Sequence, residues 1–274
     1  MKISVILIDG QFRENTYSAD YLCKQDFPEN EYEIIWVEYY KKVPASVTGL
    51  KKIKIVRLEH TLDTVYHSSV CFNKGIEHAA GELIVIPDAD QIMAPDFLSQ
   101  LWSLHSSYDK LVVYPYRYDE QKQGDVTSPS FEELENKCIL KNPKNYGGCL
   151  SVRKKWLLEI NGYEQHKIFE SGFHANGLDM YTRFKNYGLA ILWAPHIKMY
   201  HPWHPFTLEP ANEYVLQFEL IEWRAKTLQF LALNGLSASK NYKHFDEAAF
   251  RKMASEKKPS PPKPGIIKRM LNRI

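Results

Sequence analysis

Two carboxylates one residue apart, Asp88 and Asp90, close the segment Gly81-Glu82-Leu83-Ile84-Val85-Ile86-Pro87-Asp88-Ala89-Asp90. A buried strand that ends in such a pair aims both acids into one crevice. Oxygen ligands of this kind suit Mg2+ or Mn2+, and a diphosphate supplies further oxygens to the same ion. Aspartate is short, so the ion is held close to the backbone. The plainer alternative is a turn whose aspartates cap the next segment.

Other acids fall at comparable places, and the elements that would position them alternate in type. Ile3–Ile8 is a β-branched run of the kind that forms a strand buried on both faces, and it stops at Asp9-Gly10. Residues 15–25 read as a helix, 32–38 as a strand ending on Glu38, and 53–58 as a third strand. Ser68–Ala80 carries apolar residues among polar ones and stops at Gly81, a helix with a glycine stop. Leu83–Ile86 is the fourth strand, 96–104 a helix, and 111–114 and 190–193 further strands. Strands alternating with helices predict an α/β fold, a mostly parallel sheet flanked by helices. Ligands bind outside the carboxyl ends of such strands. Asp9, Glu38 and the Asp88-Ala89-Asp90 pair then share one crevice. Residues 119–145 are polar, with Gly124, Pro129 and Pro143, and read as an excursion. Residues 211–233 read as a long amphipathic helix packed on the body.

Asn73-Lys74-Gly75-Ile76-Glu77-His78-Ala79-Ala80-Gly81-Glu82-Leu83, running into Pro87-Asp88-Ala89-Asp90 and Ala94-Pro95-Asp96-Phe97-Leu98, resembles the core signature of family-2 glycosyltransferases with the GT-A fold. Ser4–Ile8 and Glu33–Glu38 resemble that family's first two strands. The resemblance covers roughly the first hundred residues. It implies an enzyme that moves a sugar from a nucleotide-diphosphate donor, UDP-linked, to a glycan or glycolipid acceptor, with inversion and with Mn2+ or Mg2+ as cofactor. It places Asp9 and Gly10 at the base and ribose, Glu38 at the base, and Asn73, Asp88, Ala89 and Asp90 along the donor, with Asp88 and Asp90 as metal ligands. Two departures stand out: Ile8-Asp9-Gly10-Gln11 replaces a Pro-x-Tyr-Asn stretch, and Glu38 stands where the family has Asp.

The second half extends the resemblance. Tyr146-Gly147-Gly148-Cys149 and Asn161-Gly162-Tyr163-Glu164 are similar to the family's acceptor segment. In Asn176-Gly177-Leu178-Asp179-Met180-Tyr181-Thr182-Arg183, Asp179 and Arg183 match the family's second acid and arginine, while Asn176-Gly177 stands where Glu-Asp is expected. An inverting transfer needs a carboxylate to deprotonate the acceptor hydroxyl. Asp179 is the first candidate, ahead of His174 and Glu170. A helix-start acid paired with Arg183 at i,i+4 is the competing account of Asp179. The family completes its metal shell with a late histidine, which His201 matches best and His204 second. A neutral imidazole suits Mn2+. Trp203 between them is placed to stack on a sugar.

Bulk properties limit the remaining options. The 274 residues carry a net charge of +2, so no global field marks a nucleic-acid binder. The four cysteines form no C-x-x-C pair and read as free thiols of a reducing compartment. No apolar run is long enough to cross a bilayer, so a cytoplasmic protein is expected. Residues 1–254 form one GT-A domain, with a nucleotide-sugar half to about residue 115 and an acceptor half at 116–254. Residues 255–274 form a stiff Pro-rich linker and a basic amphipathic end. That end carries six basic residues and one acid, which suits peripheral contact with an anionic membrane or a solubilising tail. Two rivals remain. One is a nucleotide-sugar binder that has lost its base, motivated by Asn176-Gly177. The other is a nucleotidyltransferase, for which Asp9-Gly10-Gln11-Phe12-Arg13 is too poor in glycine.

Overall fold

The first strand, β1 (Ile3–Asp9), is buried along its whole length, as its apolar run, interrupted only by Ser4 before Asp9, predicts. In this computed structural model, residues 1–13, 15–121, 129–170, 175–205 and 214–236 are described, together with residues 248 and 252. The strands that follow are β2 (Tyr32–Tyr40), β3 (Ile53–His60), β4 (Leu83–Pro87), β5 (Ile92–Met93), β6 (Leu111–Asp119), β7 (Cys149–Arg153) and β8 (Ala190–His201). They form one sheet in the order β3-β2-β1-β4-β7-β6-β8-β5. β1 runs parallel to β2 and β4, β2 to β3, and β6 to β8. β7 is antiparallel to β4 and β6, and β5 to β8. The carboxyl ends of β1, β2, β3, β4, β6 and β8 therefore lie along one edge.

Alternation within the strands divides the core between two faces. Ile3, Val5 and Leu7 join Ile34 and Trp36 against α1 (Tyr17–Leu22), α2 (Ala45–Thr48) and, with Leu101, α4 (Phe97–Ser107). Ile6, Ile8, Ile35 and Val37 face the other way, toward Cys71 and Ile76 of α3 (Ser68–His78). That face continues through α6 (Lys154–Glu159) and α7 (Asn176–Tyr187), which contribute Leu157, Met180 and Phe184. α5 (Phe131–Lys137) lies within the excursion expected at 119–145, of which residues 122–128 fall outside the described residues. It begins at Ser130, whose hydroxyl accepts from the Glu133 amide at 3.1 Å, an N-cap that satisfies one of the first-turn donors. α8 (Tyr214–Thr227) packs Leu220 on Ile168 and Phe169.

Several boundaries differ from the sequence reading. α1 spans only Tyr17–Leu22, and α3 ends at His78 rather than at the glycine. Gly81 serves close packing instead: a Cβ there would lie 2.4 Å from the Ser4 amide nitrogen. β2 runs on to Tyr40, so Glu38 lies inside the strand and not beyond its end. β6 and β8 continue through Pro115 and Pro195 to Asp119 and His201. All four cysteines are free, and no helix among the described residues is long and apolar enough to cross a membrane. The tail at 255–274 and His174 lie outside the described residues.

Candidate active site

Asp90 sits just beyond the end of β4, and His201 is the last residue of β8. One ligand atom each from Asp90, His201 and His204 lie within 4.8 Å of one another. The Nε2 atoms of the two histidines are 3.2 Å apart. Each is 3.7 Å from an Asp90 oxygen, Oδ1 for His201 and Oδ2 for His204. The other ring nitrogens fix what faces the centre. His201 Nδ1 lies 3.2 Å from Asp119 Oδ1, and His204 Nδ1 lies 2.8 Å from the Pro205 carbonyl. Those oxygens accept, so each Nδ1 carries a proton and each Nε2 is left to face the centre. Burial pushes the His201 imidazole down, away from its charged form. Two facing ring nitrogens, beside a buried Asp90 Oδ1 with no hydrogen-bond partner, form a site suited to a cation. Nitrogen, nitrogen and oxygen are donors suited to Mn2+.

Asp119 is the residue behind the candidate ligand His201. It ends β6 and is the register partner of His201. Burial alone would raise its carboxyl, but the His201 hydrogen bond and Arg117 hold it down as the anion. A carboxylate that fixes a ligating histidine's tautomer and orientation contributes about 10- to 100-fold in metal affinity. Asp119→Ala is therefore expected to weaken Mn2+ binding by about that factor, read by titration of free Mn2+ by electron paramagnetic resonance. Unchanged affinity would mean His201 needs no such partner.

Asp88 departs from the expected ligand pair. Its carboxylate faces Arg13 Nη2 at 3.7 Å, Arg117 Nη1 at 3.6 Å and Gln91 Nε2 at 3.3 Å. Asp90, and not the pair, therefore joins the histidines. Ala89 is buried, and its carbonyl accepts from the Ser18 amide at 3.1 Å, a structural contact. Asn73 is spent in the same way. Its side chain gives Nδ2 to the Tyr163 carbonyl at 2.9 Å and accepts the Tyr163 amide at 2.7 Å, so both ends of its amide are spent in clamping α3 to a loop.

Asp9 and Glu38 are register partners on the parallel strands β1 and β2, so they leave the same sheet face side by side. Gly10 follows under the Tyr66 ring, where a Cβ would lie 2.5 Å from ring carbons. Burial, then the charge of Asp9, pushes the Glu38 carboxyl up to about 8. The fold thus holds a proton on Glu38 that the unfolded chain releases near pH 4.5. Its stabilisation is complete below that pH and lost as pH rises through 8. The always-neutral Glu38→Gln should match the wild type in urea unfolding at pH 4. At pH 8.5 it should exceed it by roughly 4 kcal/mol. Equal stability at both pH values would show a carboxylate already charged in the fold.

Asp179 is not presented to this crevice, which corrects the first candidate for the base. It is 1% exposed, and both its oxygens are taken. Oδ2 accepts Arg183 Nε at 2.8 Å, and Oδ1 pairs with Arg224 Nη1. Arg224 also binds Glu164 at 2.6 Å, closing a buried cluster of two acids and two arginines. Burial would raise the Asp179 carboxyl, but Arg224 and Arg183 outweigh it and keep it charged. Asn176 donates to Ser68 Oγ at 3.0 Å, and Glu170 stays exposed.

Sequence reasoning also passed over Arg13. Its Nε donates to Asp90 Oδ2 at 3.1 Å and its Nη1 to the Ile8 carbonyl at 3.1 Å, so it spans the site between Asp9, Asp88 and Asp90. A charged residue in a loop carries no periodic signal by which it could have been found.

The profile of glycosyltransferase like family 2 matches residues 4–191. The chain belongs to glycosyltransferase family 2. It is a transferase, and its sheet and flanking helices are the GT-A fold. No curated protein matches it in sequence. Among solved structures, TarS 1–349 of S. aureus in complex with UDP is 17% identical, with a TM-score of 0.59 over 93% of this chain and 70% of that one. The chain spans 42% of a longer TarS structure. GalNAc-T7 with UDP, GalNAc and Mn2+ is 11% identical, with a TM-score of 0.56 over 74% of this chain and 43% of that one. The mannosyltransferase PcManGT from Pyrobaculum calidifontis, in complex with GDP-Man and Mn2+, is 14% identical, with a TM-score of 0.51 over 83% and 62%. At these identities the likeness concerns the fold.

Proposed function

We propose that this family-2 glycosyltransferase moves a sugar from a UDP-linked donor to an acceptor hydroxyl, with Mn2+ held by Asp90, His201 and His204. The convergence of His201 Nε2, His204 Nε2 and the Asp90 carboxylate, whose buried Oδ1 has no hydrogen-bond partner, carries the proposal. A divalent ion bound there supplies Lewis-acid neutralisation of the departing diphosphate. The chain's own residues do the rest. Asp9 and Glu38 line the base end, and Asp119 orients His201. Glu170 is the exposed carboxylate among the candidate bases, and it takes over from Asp179 as the group to deprotonate the acceptor. Inversion follows when the deprotonated acceptor oxygen bonds to the anomeric carbon in one displacement, as the diphosphate leaves from the opposite face.

The same proposal covers the setting. Residues 1–254 act as the catalytic domain, and the basic end at 255–274 attaches it peripherally to the inner face of a membrane where cell-surface glycans or glycolipids are assembled. The positive charge of that end supports this. Liposome co-sedimentation of the intact chain against one truncated after Ala254 tests it, and equal pelleting contradicts it.

A second reading, a nucleotide-sugar binder without turnover, draws on the locked Asp179 and on Asn176-Gly177. Incubation with UDP- and GDP-sugars and Mn2+, with release of nucleoside diphosphate as readout, separates the two. Release from one donor, lost in Glu170→Gln, supports the enzyme. Binding without release across an acceptor panel supports the binder.

A further inference from the structure

Arg13 is a cation set among the acids of the donor site, and its side chain is 12% exposed. Three of its five N–H donors are engaged: Nε on Asp90 Oδ2 and Nη1 on the Ile8 carbonyl, both at 3.1 Å, and Nη1 again, at a long 3.5 Å, on Asp9 Oδ1. The Nη2 contact is looser still, 3.7 Å from Asp88 Oδ1. Charge-assisted hydrogen bonds close to about 2.7–2.9 Å when donor and acceptor are matched. The guanidinium therefore keeps unsatisfied donors beside the metal-binding residues. Phe12 backs it, with the guanidinium carbon 4.6 Å from the ring centroid. The turn at Gln11 (φ 59°), whose amide donates to Asp9 Oδ2 at 3.2 Å, brings the loop back over the strand ends.

Arg13 also shares an atom with the candidate metal centre. Asp90 Oδ2, the oxygen nearest His204 Nε2, is the one that accepts from Arg13. A guanidinium and a divalent ion thus compete for one carboxylate. A nucleoside diphosphate resolves that competition, because its phosphate oxygens match the planar fork that the acids leave half-used.

We propose that Arg13 is a donor-diphosphate residue that stands in for the cation at Asp90 in the free enzyme and transfers to the diphosphate when donor and metal arrive. This rests on the metal reading of Asp90, His201 and His204. It assigns Arg13 two effects of opposite sign. The arginine opposes Mn2+ binding when no nucleotide is present, and it favours nucleoside diphosphate binding when Mn2+ is.

The test uses the full chain and its Arg13→Gln and Arg13→Lys variants. Mn2+ affinity is measured without nucleotide. UDP and GDP affinities are measured with Mn2+ by calorimetry, with uridine and guanosine as phosphate-free controls. Arg13→Gln is expected to bind Mn2+ alone several-fold more tightly. Its affinity for the preferred diphosphate should fall about 10- to 100-fold, the range of a lost charged hydrogen bond. The nucleoside affinity should not change. Arg13→Lys keeps the charge without the fork. It should restore the wild-type Mn2+ affinity but only part of the diphosphate affinity. Weaker binding of Mn2+, diphosphate and nucleoside together would mark Arg13 as a merely structural residue and overturn the proposal. Diphosphate binding that needs no Mn2+ would overturn the metal reading, while the contrast between diphosphate and nucleoside would still decide the role of Arg13.

Discussion

Replacing Asp90 with alanine is expected to lower Mn2+-supported turnover by about 100- to 1,000-fold, the scale on which a principal electrostatic contributor to a transition state acts. Asp90 is the only carboxylate in the Asp90–His201–His204 cluster, and its Oδ1 is buried without a hydrogen-bond partner. Burial would raise its carboxyl, but the Arg13 guanidinium beside it outweighs that and holds it well below the usual range. Asp90 is therefore an anion at any working pH, ready for a cation. Asp88 makes the instructive control. Its carboxylate is 30% exposed and turned to Arg13 and Arg117. Asp88→Ala should spare Mn2+ affinity where Asp90→Ala removes it. Equal loss of Mn2+ binding in the two variants would restore the aspartate pair as joint ligands.

Asp179→Ala is expected to cost about 3–5 kcal/mol of stability, since it leaves Arg183 and Arg224 charged in the interior. Both arginines are 0% exposed. Arg183 keeps the Ile160 and Gly162 carbonyls at 3.0 and 2.7 Å, and Arg224 keeps Glu164, but two positive charges would then face one acid. Arg224 belongs to α8 and Asp179 to α7, so the loss should loosen the docking of α8. Urea unfolding and turnover per folded molecule are the two readouts. A large fall in stability with turnover preserved fits a structural anchor. A fall in turnover of a thousandfold at unchanged stability would return Asp179 to the role of base.

The donor half of the fold was legible because its signals are local. The apolar run Ile3–Ile8 and the segment Leu83–Asp90 name buried strands and the acids at their ends without reference to anything distant. Expectations failed where a strand passed through proline. Pro115 and Pro195 argue against a strand, and the sequence reading stopped β6 at Tyr114 and β8 at Trp193. Both strands continue, with a register shift between Pro115 and Tyr116. That extension sets Asp119 beside His201, a pair far apart in sequence. Arg13 was illegible for a related reason: its partners Asp88 and Asp90 meet it only when β1 and β4 lie side by side. For Asp179 the pairing with Arg183 at i,i+4 was visible, whereas Arg224, 45 residues away, was not. That second arginine occupies the remaining oxygen and removes Asp179 from the chemistry.

The most direct measurement is Mn2+ stoichiometry and affinity in the presence of UDP, for the wild type and for Asp90→Asn, His201→Gln and His204→Gln. The proposed centre predicts one Mn2+ per chain, bound more tightly with UDP than without, and weakened by each of the three substitutions. Mn2+ binding that is indifferent to UDP and survives all three would contradict it.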